Sequence, residues 1–351
     1  MIDNESTGDP AGETSKELIA TKPSGPRISL VLGSGGARGY AHIGVIEELE
    51  AQGYDIASIA GSSMGALVGG VYAAGKLGEY SDWVRPLHRL GVLRLLDWTL
   101  SGGGFIKGDR IIDAMRDLIG EIDIEKLPMS YTAVAVDLDA QREVWFSRGP
   151  LFDAIRASIA IPTIIRPHRY QGRLFVDGGL LNPLPVSATL RDLTDFTIAV
   201  DVNSAREPLN PLTVHGAIAA SDDAIGGQAS PQHLAATQLA GEDDQRGTLR
   251  RLRAFLRSWL KKNPGGNSHE AATAGMSDPG LIELFARSLD IVQETITRLK
   301  LAAQPPDLLI TIPRNVCAFY EFDRAEEVIE VGRQRTREAL ARWQSPMPRR
   351  R

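Results

Sequence analysis

A Gly-x-Ser-x-Gly sequence at Gly61, Ser63 and Gly65 is the pattern that most directly suggests chemistry. It lies between an apolar run that predicts a strand, residues 56–60, and a small-residue pattern that predicts a helix, residues 66–74. On such a tight turn the serine hydroxyl is exposed, and the flanking glycines let the backbone bend without Cβ clashes. Two interpretations stay open at this point: a catalytic serine, or a serine that caps the following helix.

A glycine-rich turn at residues 33–39 follows a predicted strand, residues 28–32, and precedes a predicted helix, residues 41–52. Its sequence, Gly-Ser-Gly-Gly-Ala-Arg-Gly, could cradle a nucleotide phosphate, with Asp55 placed to contact a ribose. Alternatively, its backbone N–H groups could form an oxyanion hole for an acyl-transfer intermediate. A purely structural turn between a strand and a helix is the third interpretation.

The third candidate is Asp177, which follows a short predicted strand, residues 173–176, and precedes Gly178 and Gly179. A carboxylate in this place can approach another backbone closely and accept a proton from a nearby hydroxyl. Asp-Gly is also a very common turn sequence, so these residues taken alone favour a purely structural turn over a chemical role.

Strand and helix patterns alternate along the chain, which indicates an α/β layer fold. Further strands are predicted at residues 131–137, 196–202 and 307–310, and further helices at 281–301 and 324–343. We expect one domain over residues 27–345, interrupted by an insertion at about 205–280 where Ala, Gly, Gln, Asp and Ser dominate. Residues 1–26 are expected to be a mobile leader, and residues 346–351 a basic tail.

The composition argues against several classes of protein. The 39 basic and 44 acidic residues give a net charge of −5, which disfavours nucleic-acid binding through the overall field. The single cysteine, Cys317, cannot form an internal disulfide, and the six histidines have no spacing typical of a metal site. We therefore expect no metal, no organic cofactor and no nucleic-acid partner.

Taken in order, the glycine-rich turn, the Gly-x-Ser-x-Gly sequence and the Asp-Gly-Gly sequence resemble the patatin-like phospholipases. The likeness extends to Arg-Gly-Tyr-Ala-His-Ile-Gly at residues 38–44 and Ala-Ser-Ile-Ala-Ile-Pro at residues 157–162. The stretch Phe-Asp-Arg-Ala at residues 322–325 resembles the bacterial branch related to the catalytic domain of neuropathy target esterase. The resemblance covers about residues 27–204 and 285–340, and it implies a three-layer α/β/α fold with a mostly parallel central sheet.

At the positions that match these motifs, the resemblance implies that Ser63 is the nucleophile and Asp177 the base of a Ser-Asp dyad. Backbone N–H groups around Gly35, Gly36 and Ala37 would form the oxyanion hole. The remaining motif positions would support these groups: Gly33, Arg38, Gly39, Gly61, Gly65, Gly178 and Gly179. A serine, residue 34, stands where the family often has glycine, which is a minor departure because only backbone N–H groups are needed.

The activity that this resemblance implies is hydrolysis of lipid acyl esters, in phospholipid or lysophospholipid, through an acyl-Ser63 intermediate. One alternative is a nucleotide-binding regulatory protein that uses the turn from Gly33 to Gly39. Another is a non-catalytic scaffold with the same fold. No metal or organic cofactor is implied.

Histidine is the alternative to an aspartate base. In ordinary α/β-hydrolases the histidine follows the acid in sequence, which leaves His215, His233 and His269, all within the predicted insertion. We expect His42 to pack within a helix and His168 to lie in a loop.

Contact with a membrane is expected only at its surface. The sequence has no secretory signal pattern and no apolar stretch of membrane-spanning length, so we expect a cytoplasmic location. Residues 248–262 form a basic amphipathic pattern, which suits either an anionic membrane surface or a helix packed on the domain. An apolar stretch from Trp83 to Phe105 could line an acyl pocket, act as a lid, or belong to the core.

Overall fold

The computed structural model describes residues 25–95, 97, 104–208 and 281–343. The described residues up to 208 and from 286 belong to one compact unit. The leader except its last two residues, the insertion beyond 208 with its basic pattern at 248–262, and the tail at 346–351 all lie outside the described residues.

The described residues form two β-sheets. Their strands are β1 (Arg27–Leu32), β2 (Asp55–Ser62), β3 (Gly104–Ile106), β4 (Ser130–Asp137), β5 (Arg142–Phe146), β6 (Thr163–Ile165), β7 (His168–Tyr170), β8 (Arg173–Asp177), β9 (Phe196–Ser204) and β10 (Leu308–Pro313). The larger sheet has the order β10-β9-β1-β2-β4-β8-β7, and β5 pairs with β4 beside this path. Neighbours from β10 to β4 are parallel, whereas β5, β7 and β8 pair antiparallel, so the predicted mostly parallel sheet is confirmed.

The helices are α1 (Ala41–Ala51), α2 (Met64–Ala73), α3 (Leu77–Val84), α4 (Arg89–Leu95), α5 (Asp109–Ile119), α6 (Leu151–Ser158), α7 (Leu281–Ala303) and α8 (Ala325–Arg342). Short 3-10 turns include Gly36–Tyr40, which leads directly into α1, and Gly178–Leu180, which follows β8. β3 and β6 form a separate two-stranded sheet.

Side chains of β1 alternate between two layers of the molecule. Ile28, Leu30 and Leu32 pack in the main core, which includes side chains of α1 and α2. Val31 packs in a smaller cluster, against which Leu301 of α7 lies. Because successive strand residues point to opposite faces of a sheet, helices cover both faces, and the three-layer α/β/α architecture is confirmed.

The strand register brings the three sequence motifs to one edge of the sheet. In the parallel pair of β1 and β2, Leu32 lies opposite Gly61, so the turns after both strands leave at the same edge. In the next pair, Ser62 lies opposite Val134 of β4, and Ala135 lies opposite Asp177 at the end of β8. Residues far apart in the sequence therefore meet at this edge.

Candidate active site

Ser63 occupies the single-residue turn between β2 and α2, and its backbone is strained. Its φ of 54° and ψ of −122° lie in a region that residues with a side chain rarely adopt, at a cost of about 1–3 kcal/mol. Gly65 is needed for this turn, because a Cβ there would overlap the backbone carbonyl of Leu32. The Ser63 side chain makes no capping hydrogen bond to α2, so the helix-cap interpretation is wrong.

The Ser63 hydroxyl instead faces Asp177. Ser63 Oγ donates a hydrogen bond of 2.5 Å to Asp177 Oδ2. The other carboxylate oxygen, Oδ1, accepts the backbone N–H of Gly179 at 2.7 Å, and the Asp177 N–H donates to the Ala160 carbonyl at 2.9 Å. The Asp177 side chain therefore fits both the structural and the chemical interpretation. Its Oδ1 closes the Asp-Gly-Gly turn, and its Oδ2 contacts the serine.

Burial makes the Asp177 carboxylate unusually basic. The residue is 3% exposed, and desolvation raises the pKa of its carboxyl group to about 7. The hydrogen bonds from Ser63 and Gly179 act in the opposite direction and offset only part of this effect. An ordinary aspartate is a weak base, but a carboxylate with a pKa near neutrality can take a proton efficiently at physiological pH.

The glycine-rich turn lies beside this pair and is held by backbone hydrogen bonds. The N–H of Gly33 donates to the Val200 carbonyl at 3.0 Å. The N–H of Ala37 donates to the Phe319 carbonyl at 2.8 Å, so the prediction that Ala37 supplies an oxyanion donor does not fit this geometry. Among the described residues, none accepts a hydrogen bond from the N–H of Gly35 or Gly36. Those two groups remain as the candidate donors.

Buried side chains fix the carbonyl groups of the same turn. Arg38, 3% exposed, donates from Nε to the Gly35 carbonyl at 3.2 Å and from Nη2 to Asp290 of α7 at 2.7 Å. His42 Nε2 lies 2.8 Å from the Gly33 carbonyl, which accepts its proton. Because these carbonyls are held, the N–H groups of the turn are preorganised.

Helix α7 contributes a second contact that the sequence patterns do not reveal. Ser34 Oγ donates to Oε1 of Gln293 at 3.1 Å, and Asn203 Nδ2 donates to the Ser34 carbonyl at 2.7 Å. Ser34 thus has a role of its own in this turn: its side chain joins the turn to α7, which a glycine could not do.

The ribose contact that the nucleotide interpretation assigns to Asp55 does not fit the geometry. Asp55 starts β2 and pairs in register with Arg27 at the start of β1, with an ion pair of 3.4 Å between their side chains. The turn lies at the opposite end of β1, so Asp55 cannot contact a ribose whose phosphates occupy it.

His42 and His168 each make a hydrogen bond to another described residue. His42 is fully buried in α1, as predicted, and burial lowers its pKa to about 4, so it is neutral near pH 7. His168 lies in β7 and bonds Asp153 at 2.9 Å, so the prediction that it lies in a loop is wrong. His215, His233 and His269 are outside the described residues.

The apolar stretch at residues 83–105, metal sites and membrane-spanning helices can be assessed only in the described part of the chain. Within the apolar stretch at 83–105, Trp83 and Leu87 pack against the main core, Leu90 is 63% exposed, and residues 98–103 are not described. In the part of the chain that the structure describes, no three His, Cys, Asp or Glu side chains are grouped to hold a metal ion. No helix among those residues is long and apolar enough to cross a membrane.

Comparison with known proteins places the chain among its relatives. The family model described as patatin-like phospholipase matches residues 30–190. A Mycobacterium tuberculosis protein named an uncharacterized NTE family protein is 45% identical over 333 residues, covering 90% of this chain and 92% of that protein. Lysophospholipase NTE1 of Scheffersomyces stipitis is 32% identical over 197 residues, covering 53% of this chain and 12% of that protein.

Among solved structures, VipD from Legionella pneumophila is similar with a TM-score of 0.42 and 13% identity, covering 91% of this chain and 67% of that one. The family assignment rests on the sequence comparisons, because the mycobacterial protein matches over most of both chains and the family model spans the serine turn and the Asp-Gly-Gly sequence. The chain therefore belongs to the patatin-like phospholipases and, within them, to the NTE family.

Proposed function

We propose that this protein is a serine hydrolase that cleaves lipid acyl esters, as a phospholipase A or lysophospholipase, through an acyl-Ser63 intermediate. The observation that carries the proposal is the 2.5 Å hydrogen bond from Ser63 Oγ to Asp177 Oδ2. A serine hydroxyl is a poor nucleophile until a neighbouring base takes its proton. A buried carboxylate with a pKa raised to about 7 is suited to that task.

In the proposed reaction, Asp177 takes the hydroxyl proton while Ser63 Oγ attacks the ester carbonyl carbon. The carbonyl oxygen becomes an oxyanion, for which the N–H groups of Gly35 and Gly36 are the proposed donors. The bond to the leaving alcohol then breaks, and the proton passes from Asp177 to the alcohol oxygen. Water attacks the acyl-Ser63 ester with Asp177 again as base, which releases the fatty acid and restores the hydroxyl.

The substrate class rests on the family rather than on the dyad. Membership of the patatin-like phospholipases supports a lipid ester, and one relative is named a lysophospholipase. We further propose that residues 248–262, with their many arginines and lysines, dock the enzyme on anionic lipid at the cytoplasmic membrane surface.

A fluorophosphonate probe, which phosphonylates activated serines, tests the proposal. We expect one covalent label per chain in the wild type, loss of the label in Ser63→Ala, and a retained label in Ser62→Ala. Ser62 is a suitable control because it is the neighbouring serine, is fully buried, and its hydroxyl makes no hydrogen bond to a described residue. Absence of label in folded wild-type protein would favour the non-catalytic scaffold instead.

A further inference from the structure

Ser158, the last residue of α6, makes two hydrogen bonds within the site. Its side chain is fully buried. Its Oγ accepts the backbone N–H of Ser63 at 2.9 Å and donates to the carbonyl of Val134 at 2.6 Å. The hydroxyl therefore joins the serine turn to Val134 within β4, and its only proton is committed to the Val134 carbonyl.

The same short segment also holds the aspartate. Two residues after Ser158, the Ala160 carbonyl accepts the N–H of Asp177 at 2.9 Å. Val134 precedes Ala135, which lies opposite Asp177 in the β4–β8 pair. Residues 158–160 thus contact the backbones of both Ser63 and Asp177. The hydrogen bond from Ser158 to Val134 attaches this segment to β4, the strand that pairs with β8 at Asp177.

This contact bears on a residue under strain. Ser63 is a non-glycine residue with a φ of 54°, and its N–H lies inside the protein, where an unpaired donor is unfavourable. Without an acceptor at Ser158, a rotation of the Ser63 backbone would relieve the strain and find another partner. Such a rotation would also move Oγ away from Asp177.

We propose that Ser158 is a positioning residue that holds Ser63 in its strained conformation, with its hydroxyl against Asp177. The inference rests on the proposed function, since it assigns a role in the reaction of the same serine. It also implies that the N–H of Ser63 is not an oxyanion donor, because that N–H is already bonded to Ser158.

The test is the second-order rate of fluorophosphonate labelling in Ser158→Ala, measured against Ser158→Thr and Ser29→Ala. Ser158→Ala leaves the Ser63 N–H without its acceptor, and labelling should slow by about 10- to 100-fold, the range expected for a nucleophile displaced by up to an ångström. Ser158→Thr keeps the hydroxyl and should restore most of the rate. Ser29 is the matched control: it lies near the start of β1, it is fully buried, and among the described residues its hydroxyl bonds that of Thr194.

A pH profile separates positioning from a general loss of structure. The hydrogen bond from Ser63 lowers the pKa of Asp177, so loosening it in Ser158→Ala should move the acid limb of the labelling rate to higher pH. A general loss of structure would lower the rate at every pH and leave that limb in place. If Ser158→Ala does not fold, Ser158→Cys, which keeps the size with a weaker acceptor, takes its place in both measurements.

The outcomes are distinct for the two proposals. Failure of the wild type to label would overturn the proposed function, whatever Ser158 does. Wild-type labelling with an equally fast Ser158→Ala, or a slow Ser158→Ala with an unmoved acid limb, would overturn the role of Ser158 and leave the proposed function standing.

Discussion

Lowering the pH is expected to stop acylation of Ser63 near neutrality. Asp177 can take the serine proton only when its carboxyl group is deprotonated, and burial raises its pKa from 3.8 to about 7. Because the group is an acid whose pKa is raised, the active, deprotonated form dominates above about pH 7 and is lost as the pH falls through that value. The reaction should therefore show an acid limb far above the range of an ordinary aspartate.

The size of the loss of activity at low pH follows from the raised pKa of Asp177. Below the pKa the deprotonated fraction falls about tenfold per pH unit, so kcat/KM at about pH 5 should be roughly one-hundredth of its plateau value. With an unshifted carboxyl group, more than about 90% of the plateau would remain at that pH.

The assay is kcat/KM on a short-chain ester from about pH 5 to pH 9, with circular dichroism at each pH to verify the fold. Asp177→Asn is the matched control because the amide has the shape of the carboxylate but cannot act as the base. Its rate should be at least about 100-fold below the wild-type plateau. A wild-type kcat/KM that is flat down to about pH 5, with the fold intact, would refute the assignment of Asp177 as a base with a raised pKa.

Three further results are expected. Asp177 binds its proton more tightly in the folded than in the unfolded chain, so its contribution to wild-type stability should fall as the pH rises from about 4 to about 7. At about pH 8, Asp177→Asn should therefore be more stable by up to about 4 kcal/mol in urea unfolding. Gly36→Ala should reduce ester hydrolysis by about 100-fold or more, because Gly36 has a φ of 55° and a Cβ there would meet the Phe319 carbonyl; unchanged kinetics would contradict its role. Charge reversal at Arg250, Arg251 and Arg253 should weaken binding to anionic liposomes, and unchanged binding would reject membrane docking through residues 248–262.

The local parts of the site could be predicted from the sequence because their signals are local. An apolar run, a glycine turn and a helix pattern predict the Ser63 turn, and the same logic predicts the turn after β1. The strands β5 and β7 are not predicted, because they are short and carry exposed residues without a clear alternation. Likewise, His168 has no local signal that separates a short strand from a loop.

The contacts that hold the site could not be predicted, because they join residues far apart in sequence. The Ser158 hydroxyl reaches the N–H of Ser63 across 95 positions, and Ser34 reaches Gln293 across 259. The N–H of Ala37 is not available to an oxyanion because it donates to the backbone carbonyl of Phe319. Any residue type at position 319 would supply that carbonyl, so the sequence carries no signal for this contact. The Ala-Ser-Ile-Ala-Ile-Pro stretch is recognisable in the sequence, but the role proposed for its serine depends on the β2–β4–β8 register.

The most direct test of the account is to trap the acyl-enzyme itself. Wild-type protein is mixed with a phospholipid or lysophospholipid, quenched in acid within the first turnovers, digested and analysed by peptide mass spectrometry. We expect the mass of the fatty acyl group on the peptide that contains Ser63, and neither adduct nor fatty-acid release in Ser63→Ala. Fatty-acid release that persists in folded Ser63→Ala, or an acyl group on another residue, would contradict the central claim.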